Sequence, residues 1–197
     1  MVKFVASLAF LELLFVVLAS AAHPRMATRL SFSQGRARQP GCQLVIAQRP
    51  PRVQKGGQTE LKQLISMPRK VIAVLFSSNL SAPHDSSVQR MLYAAINAQA
   101  FRNRVNAVVV DLKTGDVPSR IKGQVARRGA GDNVTVLIRK DVESTDLWKV
   151  IDPRPQGVLP AYYVLDRKGT KVFGPFTNFN DNTAIYRSIE SALNSGA

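Results

Sequence analysis

Gly157-Val158-Leu159-Pro160-Ala161-Tyr162-Tyr163-Val164-Leu165-Asp166-Arg167-Lys168-Gly169 sets a proline immediately before an apolar run and closes that run with Asp-x-x-Gly. Ala161–Leu165 reads as a buried strand and 166–169 as a hairpin turn that returns the chain into a partner strand over Lys171–Phe173. Ile185, Ile189 and Leu193 then fall at helical spacing and predict a closing amphipathic helix over 181–193. A proline directly before a buried strand, followed by a turn and a paired strand, is not expected from composition alone.

Working back from this stretch, alternating apolar runs and amphipathic segments begin at Thr59. Thr59 is the expected N-cap of a short helix over 59–65, which Pro68 stops before the apolar strand Val71–Phe76. Val88, Met91, Leu92, Ala95, Ile96 and Gln99 predict a long helix from Ser86 to Arg102, with Asp85 or Ser86 as its cap. Ala107–Val110 makes a second buried strand that ends at Asp111. A helix near Pro118–Arg128 leads to the strand Val134–Ile138. A short helix over 142–150 turns Leu147, Trp148 and Val150 inward and ends at Pro153 and Pro155. From the first strand the order is βαβαβαββα. Strands buried on both faces and joined through helices imply an α/β domain with a mostly parallel central sheet, helices on both faces and an antiparallel C-terminal hairpin. There is no internal repeat.

Across about residues 59–195 this arrangement resembles the thioredoxin superfamily, and most closely its redoxin branch of exported thiol–disulfide oxidoreductases. Three patterns carry the resemblance. The strand Val71–Phe76 is followed by Ser77-Ser78-Asn79-Leu80-Ser81-Ala82-Pro83-His84 and a long helix, where a redoxin has strand, loop, Cys-x-Pro-Cys and helix. The 157–169 stretch looks like the family's cis-proline loop, strand and turn. The extra helix and strand before the Trp148 helix match the redoxin insertion. The resemblance implies a three-layer thioredoxin-like fold over residues 59–197. It also implies a cis Leu159–Pro160 bond, although a trans proline is compatible with the start of a strand.

On this pattern Ser81 stands where the nucleophilic cysteine would be, Ala82 and Pro83 fill the intervening pair, and His84 replaces the resolving cysteine. Dithiol exchange needs a thiolate to attack a disulfide and a second thiol to resolve the mixed intermediate. A serine hydroxyl does neither, so the resemblance supports the fold and argues against the family's activity, with no catalytic residue assigned. The helix N-terminus and the backbone at Leu159 and Pro160 remain candidates for holding an extended peptide or protein partner. The competing reading is an enzyme that reuses Ser81 and His84 as polar contacts for a peroxide, a glutathione or an acyl group. A nucleophilic Ser81 has against it the lack of a Gly-x-Ser-x-Gly elbow and of an assignable orienting carboxylate beyond the adjacent Asp85. Trp148, Tyr162 and Tyr163 are read as core and sheet-face residues.

The remaining sequence bears on destination and charge. Residues 1–22 combine Lys3, an apolar stretch from Phe4 to Leu18 and small residues from Ala19 to Ala22, the layout of a cleaved signal peptide; Glu12 weighs against an uncleaved anchor. Of the formal charge of +14, half lies in residues 23–59, which hold seven Arg or Lys and no acid. Residues 60–197 carry nineteen basic and twelve acidic residues, leaving +7. Residues 23–58 are therefore expected to be a disordered basic linker, with a second targeting signal as the alternative. The expected destination is the secretory pathway, secreted or periplasmic, or a complex plastid if the leader is bipartite. Nucleic-acid or ribosome binding is disfavoured: Arg127-Arg128 and Arg139-Lys140 supply local charge, but acids are interspersed and no aromatic RNA-binding strand is present. Membrane contact is expected only through the signal peptide or the leader. Cys42 is the sole cysteine, which rules out an intramolecular disulfide. With His23 and His84 it gives no ligand-spaced pair for zinc, and no metal or cofactor is expected. Asn79-Leu80-Ser81 and Asn133-Val134-Thr135 are glycosylation sequons, with Asn79 the favoured acceptor because it lies in a loop.

Overall fold

The computed structural model describes residues 49–197 except 67–68, 114, 141–143, 155–156 and 196–197. The signal-peptide reading, most of the leader with Cys42, and the stops at Pro68 and Pro155 lie outside the described residues. In chain order the elements are β1 (Arg52–Gly56), α1 (Gln58–Ile65), β2 (Val71–Ser77), α2 (Pro83–Asn97), β3 (Val105–Asp111), α3 (Pro118–Arg127) and β4 (Val134–Arg139). A 3-10 helix (Ser144–Val150), β5 (Ala161–Leu165), β6 (Lys171–Phe176) and α4 (Thr183–Asn194) complete the chain.

The six strands form one sheet in the order β1-β4-β3-β2-β5-β6. β1, β4, β3 and β2 run parallel, and β5 and β6 add an antiparallel edge. The period of two along β2 divides its side chains between two cores. Val71, Ala73 and Leu75 meet Val88, Leu92 and Ile96 of α2, Ile121 of α3 and Ile189 of α4. Ile72, Val74 and Phe76 meet Leu61 of α1, Leu147 and Tyr163 on the opposite face. There Phe76 stacks on Trp148 with ring centroids 6.0 Å apart and meets Tyr163 edge-on at 5.8 Å. Trp148 and Tyr163 thus pack in this core and Tyr162 is buried in the other, as expected from the sequence. Helices cover both faces of a sheet buried on both sides, which is the three-layer thioredoxin-like arrangement, and the inserted α3–β4 unit places β4 between β1 and β3.

The structure corrects the expected boundary of the leader. Residues 52–56, assigned to a disordered linker over 23–58, form β1 and pair with β4 from Arg52↔Thr135 to Gly56↔Arg139. An acid-free, basic composition does not preclude an edge strand, because the ladder comes from backbone groups and the charged side chains face solvent. A Cβ on Gly56 would lie 2.6 Å from Leu137 Cδ1 and 2.8 Å from Glu60 Cβ, so only glycine permits this close approach. The adjoining helix is capped at Gly57, not Thr59. The Glu60 carboxylate accepts the Gly57 N–H at 2.8 Å, and this backbone hydrogen bond holds its pKa below the usual carboxylate range.

Two further boundaries move for local reasons. α2 starts three residues before the expected Ser86 because Pro83 occupies its first turn, where a missing N–H costs nothing, and it stops at Asn97, short of Arg102. β6 continues to Phe176 through Gly174, whose φ is +102° and whose place a Cβ could take only at 2.5 Å from Tyr162 O.

Candidate functional site

The C-terminal ends of β2 and β3 and the start of β5 share one edge of the sheet. Ser77 pairs with Asp111 and Phe76 with Ala161, so the 78–82 loop, the 112–117 loop and Leu159–Pro160 all issue from the same edge. In open α/β sheets this carboxyl edge is where ligands are held. The topology therefore brings Ser81, Ala82, Pro83 and His84 to the same end of the molecule as Leu159 and Pro160. The Leu159–Pro160 bond is cis, Pro160 is buried and Leu159 is half-buried. Two of the few large apolar side chains left exposed, Val117 at 56 % and Val158 at 53 %, belong to these converging loops.

Asp85 organises the 78–82 loop. Sequence spacing casts it as a helix cap, but it lies inside the first turn of α2, 4 % exposed, and turns back toward β2. Its Oδ2 accepts hydrogen bonds from Ser77 Oγ at 2.5 Å, Asn79 N at 3.1 Å and Ser78 Oγ at 3.3 Å. The opposite side of the loop is fastened at Leu80, which is fully buried and whose carbonyl accepts from Arg128 at 2.7 Å, Ser86 Oγ at 3.3 Å and Gln89 Nε2 at 3.3 Å. A carboxylate within the first helical turn also interacts favourably with the helix dipole.

Ser81 is exposed. Its N–H donates to Asn79 Oδ1 at 3.0 Å, and its hydroxyl donates to Gln124 Oε1 at 3.1 Å. An amide oxygen has no capacity to take up a proton, so this geometry gives Ser81 no general base. The His84 side chain is 66 % exposed, with Nδ1 3.7 Å from Asp85 Oδ1. The two sequon asparagines differ in their surroundings. Asn133 Nδ2, the atom a glycan would occupy, donates to Asn97 Oδ1 at 3.3 Å, whereas Asn79 is engaged through Oδ1 and its backbone N–H.

Beneath the loop lies a carboxylate pair that sequence reading did not single out. Asp111 is fully buried at the end of β3. One of its oxygens accepts from Lys113 N at 3.2 Å, while Asp111 Oδ2 and Asp116 Oδ2 are both buried without a donor. Burial, reinforced by the neighbouring Asp116 side chain, pushes the Asp111 pKa up to about 7. A folded-state pKa above the unfolded value stabilises the fold below the unfolded pKa, and that contribution is lost as pH rises from about 4 through 7. Asp111→Asn, which leaves position 111 uncharged at every pH, is expected to stabilise the protein relative to wild type by roughly 2–4 kcal/mol at alkaline pH. The difference should vanish or reverse near pH 4; urea midpoints of the two proteins across this range check it.

Fold and loop geometry together define a domain of thioredoxin-like fold with Ser81 and His84 at the start of α2; the chain's one cysteine, Cys42, lies far from them in sequence. The chain is similar in structure to a putative electron transfer protein from Aquifex aeolicus VF5, at a TM-score of 0.51 and 17 % identity, over 68 % of this chain and 85 % of that one. It is also similar to a putative thiol:disulfide interchange protein DsbE from Chlorobium tepidum, at a TM-score of 0.47 and 18 % identity, over 66 % and 84 % of the two chains. A secreted Mycobacterium tuberculosis disulfide oxidoreductase homologous to E. coli DsbE gives a TM-score of 0.46 and 16 % identity, over 64 % and 84 %. No family model matches the chain, and no curated protein does.

Proposed function

We propose that this protein is a redox-inactive thioredoxin-like binding protein of an extracytoplasmic or organellar lumen, and that it holds an extended peptide or protein segment at the carboxyl edge of its sheet. What supports the reading is that Ser81 and His84 stand where the resemblance to redoxins would put cysteines, beside a loop fastened by Asp85, Leu80 and Arg128. The half-buried Leu159 before β5 and the exposed Val117 and Val158 supply apolar side chains on loops that issue from the same edge of the sheet. The signal-peptide layout of residues 1–22 supports the lumenal placement. A glycan on Asn79 would crowd the loop and fits a role without catalysis.

The test uses a peptide without reactive thiols, the insulin B chain blocked with iodoacetamide. It is expected to bind saturably, and Val158→Asp is expected to weaken binding at least tenfold with an unchanged melting temperature, since an exposed valine contributes little to the core. Absence of binding, or binding indifferent to Val158→Asp, rules out this surface as the docking edge.

A further inference from the structure

A cleft of about 290 Å³ opens beside Ser81, lined by Ser81, Arg90, Gln124, Arg127 and Arg128. It draws three guanidinium groups from two helices that are distant in sequence. Among the described residues no ion pair involves Arg90, Arg127 or Arg128. Burial lowers the Arg128 pKa; Tyr93 opposes this, and the like charges of Arg90 and Arg127 add to the lowering. Arg128 is held in place all the same: its Nη1 donates to Leu80 O at 2.7 Å and to Gln89 Oε1 at 2.8 Å. The cleft thus has one fixed guanidinium, two further ones beside it, and no internal anion to offset them.

We propose that this cleft is a binding site for the dianion of a phosphate monoester. Three clustered cations are poorly balanced by a single carboxylate, whereas a phosphate monoester brings nearly two charges and three acceptor oxygens suited to the guanidinium fork. The cleft's volume sits at the lower end of small-ligand sites, matching a phosphate group with a short organic remainder. Gln124 has its oxygen committed to Ser81, which leaves its amide N–H groups for an anion. The proposal is independent of peptide docking at Val158 and Leu159, because its arginines stand on α2 and at the C-terminal end of α3.

The experiment titrates the full-length protein with β-glycerophosphate by calorimetry, in a phosphate-free buffer of low ionic strength. Saturable one-to-one binding is expected, weakened at least tenfold by Arg90→Ala or by Arg127→Ala, neither of which supports the loop. Lys168→Ala, in the distant hairpin turn, should leave it unchanged. Affinity should fall several-fold between about pH 7.5 and pH 5, as the ester takes up its second proton with a pKa near 6 while the arginines stay charged. A phosphoserine hexapeptide separates the sources: equal or weaker binding assigns the site to small phosphate esters, and binding at least tenfold tighter assigns it to a phosphorylated chain. No saturable binding, equal affinity for acetate, or equal losses from Lys168→Ala and Arg127→Ala overturns the proposal.

Discussion

Converting Ser81 and His84 to cysteine together is expected to give the protein a disulfide reductase activity, with none expected of the wild type. In the reductant-driven insulin turbidity assay the wild type should match the protein-free rate, and the Ser81→Cys, His84→Cys variant should exceed it at least tenfold. Position 81 directly precedes the Ala82 cap of α2, where the positive end of the helix dipole favours a thiolate. Arg90, Arg127 and Arg128 surround the same position and act in the same direction. The thiolate introduced at position 81 would attack an insulin disulfide and expel one insulin thiolate. The thiol introduced at position 84, on the exposed face of the first turn, would then displace the second. Two electrons pass from the new dithiol to insulin, and dithiothreitol restores the dithiol. Either single variant should stall at the mixed disulfide or never begin, and a Cys42→Ser background removes the native thiol as a source of signal. An active wild type would refute the redox-inactive reading. An inactive double variant that folds normally would show that the motif positions do not lie at 81–84.

The fold was readable wherever burial on two faces left its mark on the sequence. β2, β3, β4 and β5 are continuous apolar runs, and each was located to within a residue or two. β1 escaped because an edge strand contributing only Val53 and Gly56 to the interior has the composition of a linker. The start of α2 was misplaced for a different reason. Asp85 has the chemistry of a cap, and nothing local says that it spends its acceptors on the preceding strand and loop. The 78–82 loop itself could be picked out from the strand and helix that frame it. Its long-range fastenings could not: Gln124 and Arg128 reach Ser81 and Leu80 across more than forty residues, and only folding of the inserted α3 brings them there. The Asp111–Asp116 pair likewise depends on the fold, which brings the two side chains together at the end of β3.

Asp85→Ala is expected to be among the most damaging single changes near the site, lowering stability by about 3 kcal/mol, or Tm by on the order of 10 °C. The truncation removes the acceptor of three hydrogen bonds at once. Ser77 is fully buried and can swing its hydroxyl toward no solvent, so it is left unsatisfied, and the Asn79 N–H loses its partner as well. The favourable charge in the first turn of α2 disappears too. Asp85→Asn separates these contributions. It keeps the shape and an oxygen able to accept from Ser77 and Asn79 while discarding the charge, and it should cost about 1 kcal/mol. Both variants are measured by thermal unfolding followed by circular dichroism. Equal losses would mean that the carboxylate acts through its charge and not through its acceptors. A loss confined to the alanine variant, accompanied by weaker binding of the blocked insulin B chain, would tie the order of the 78–82 loop to the surface proposed to hold the partner.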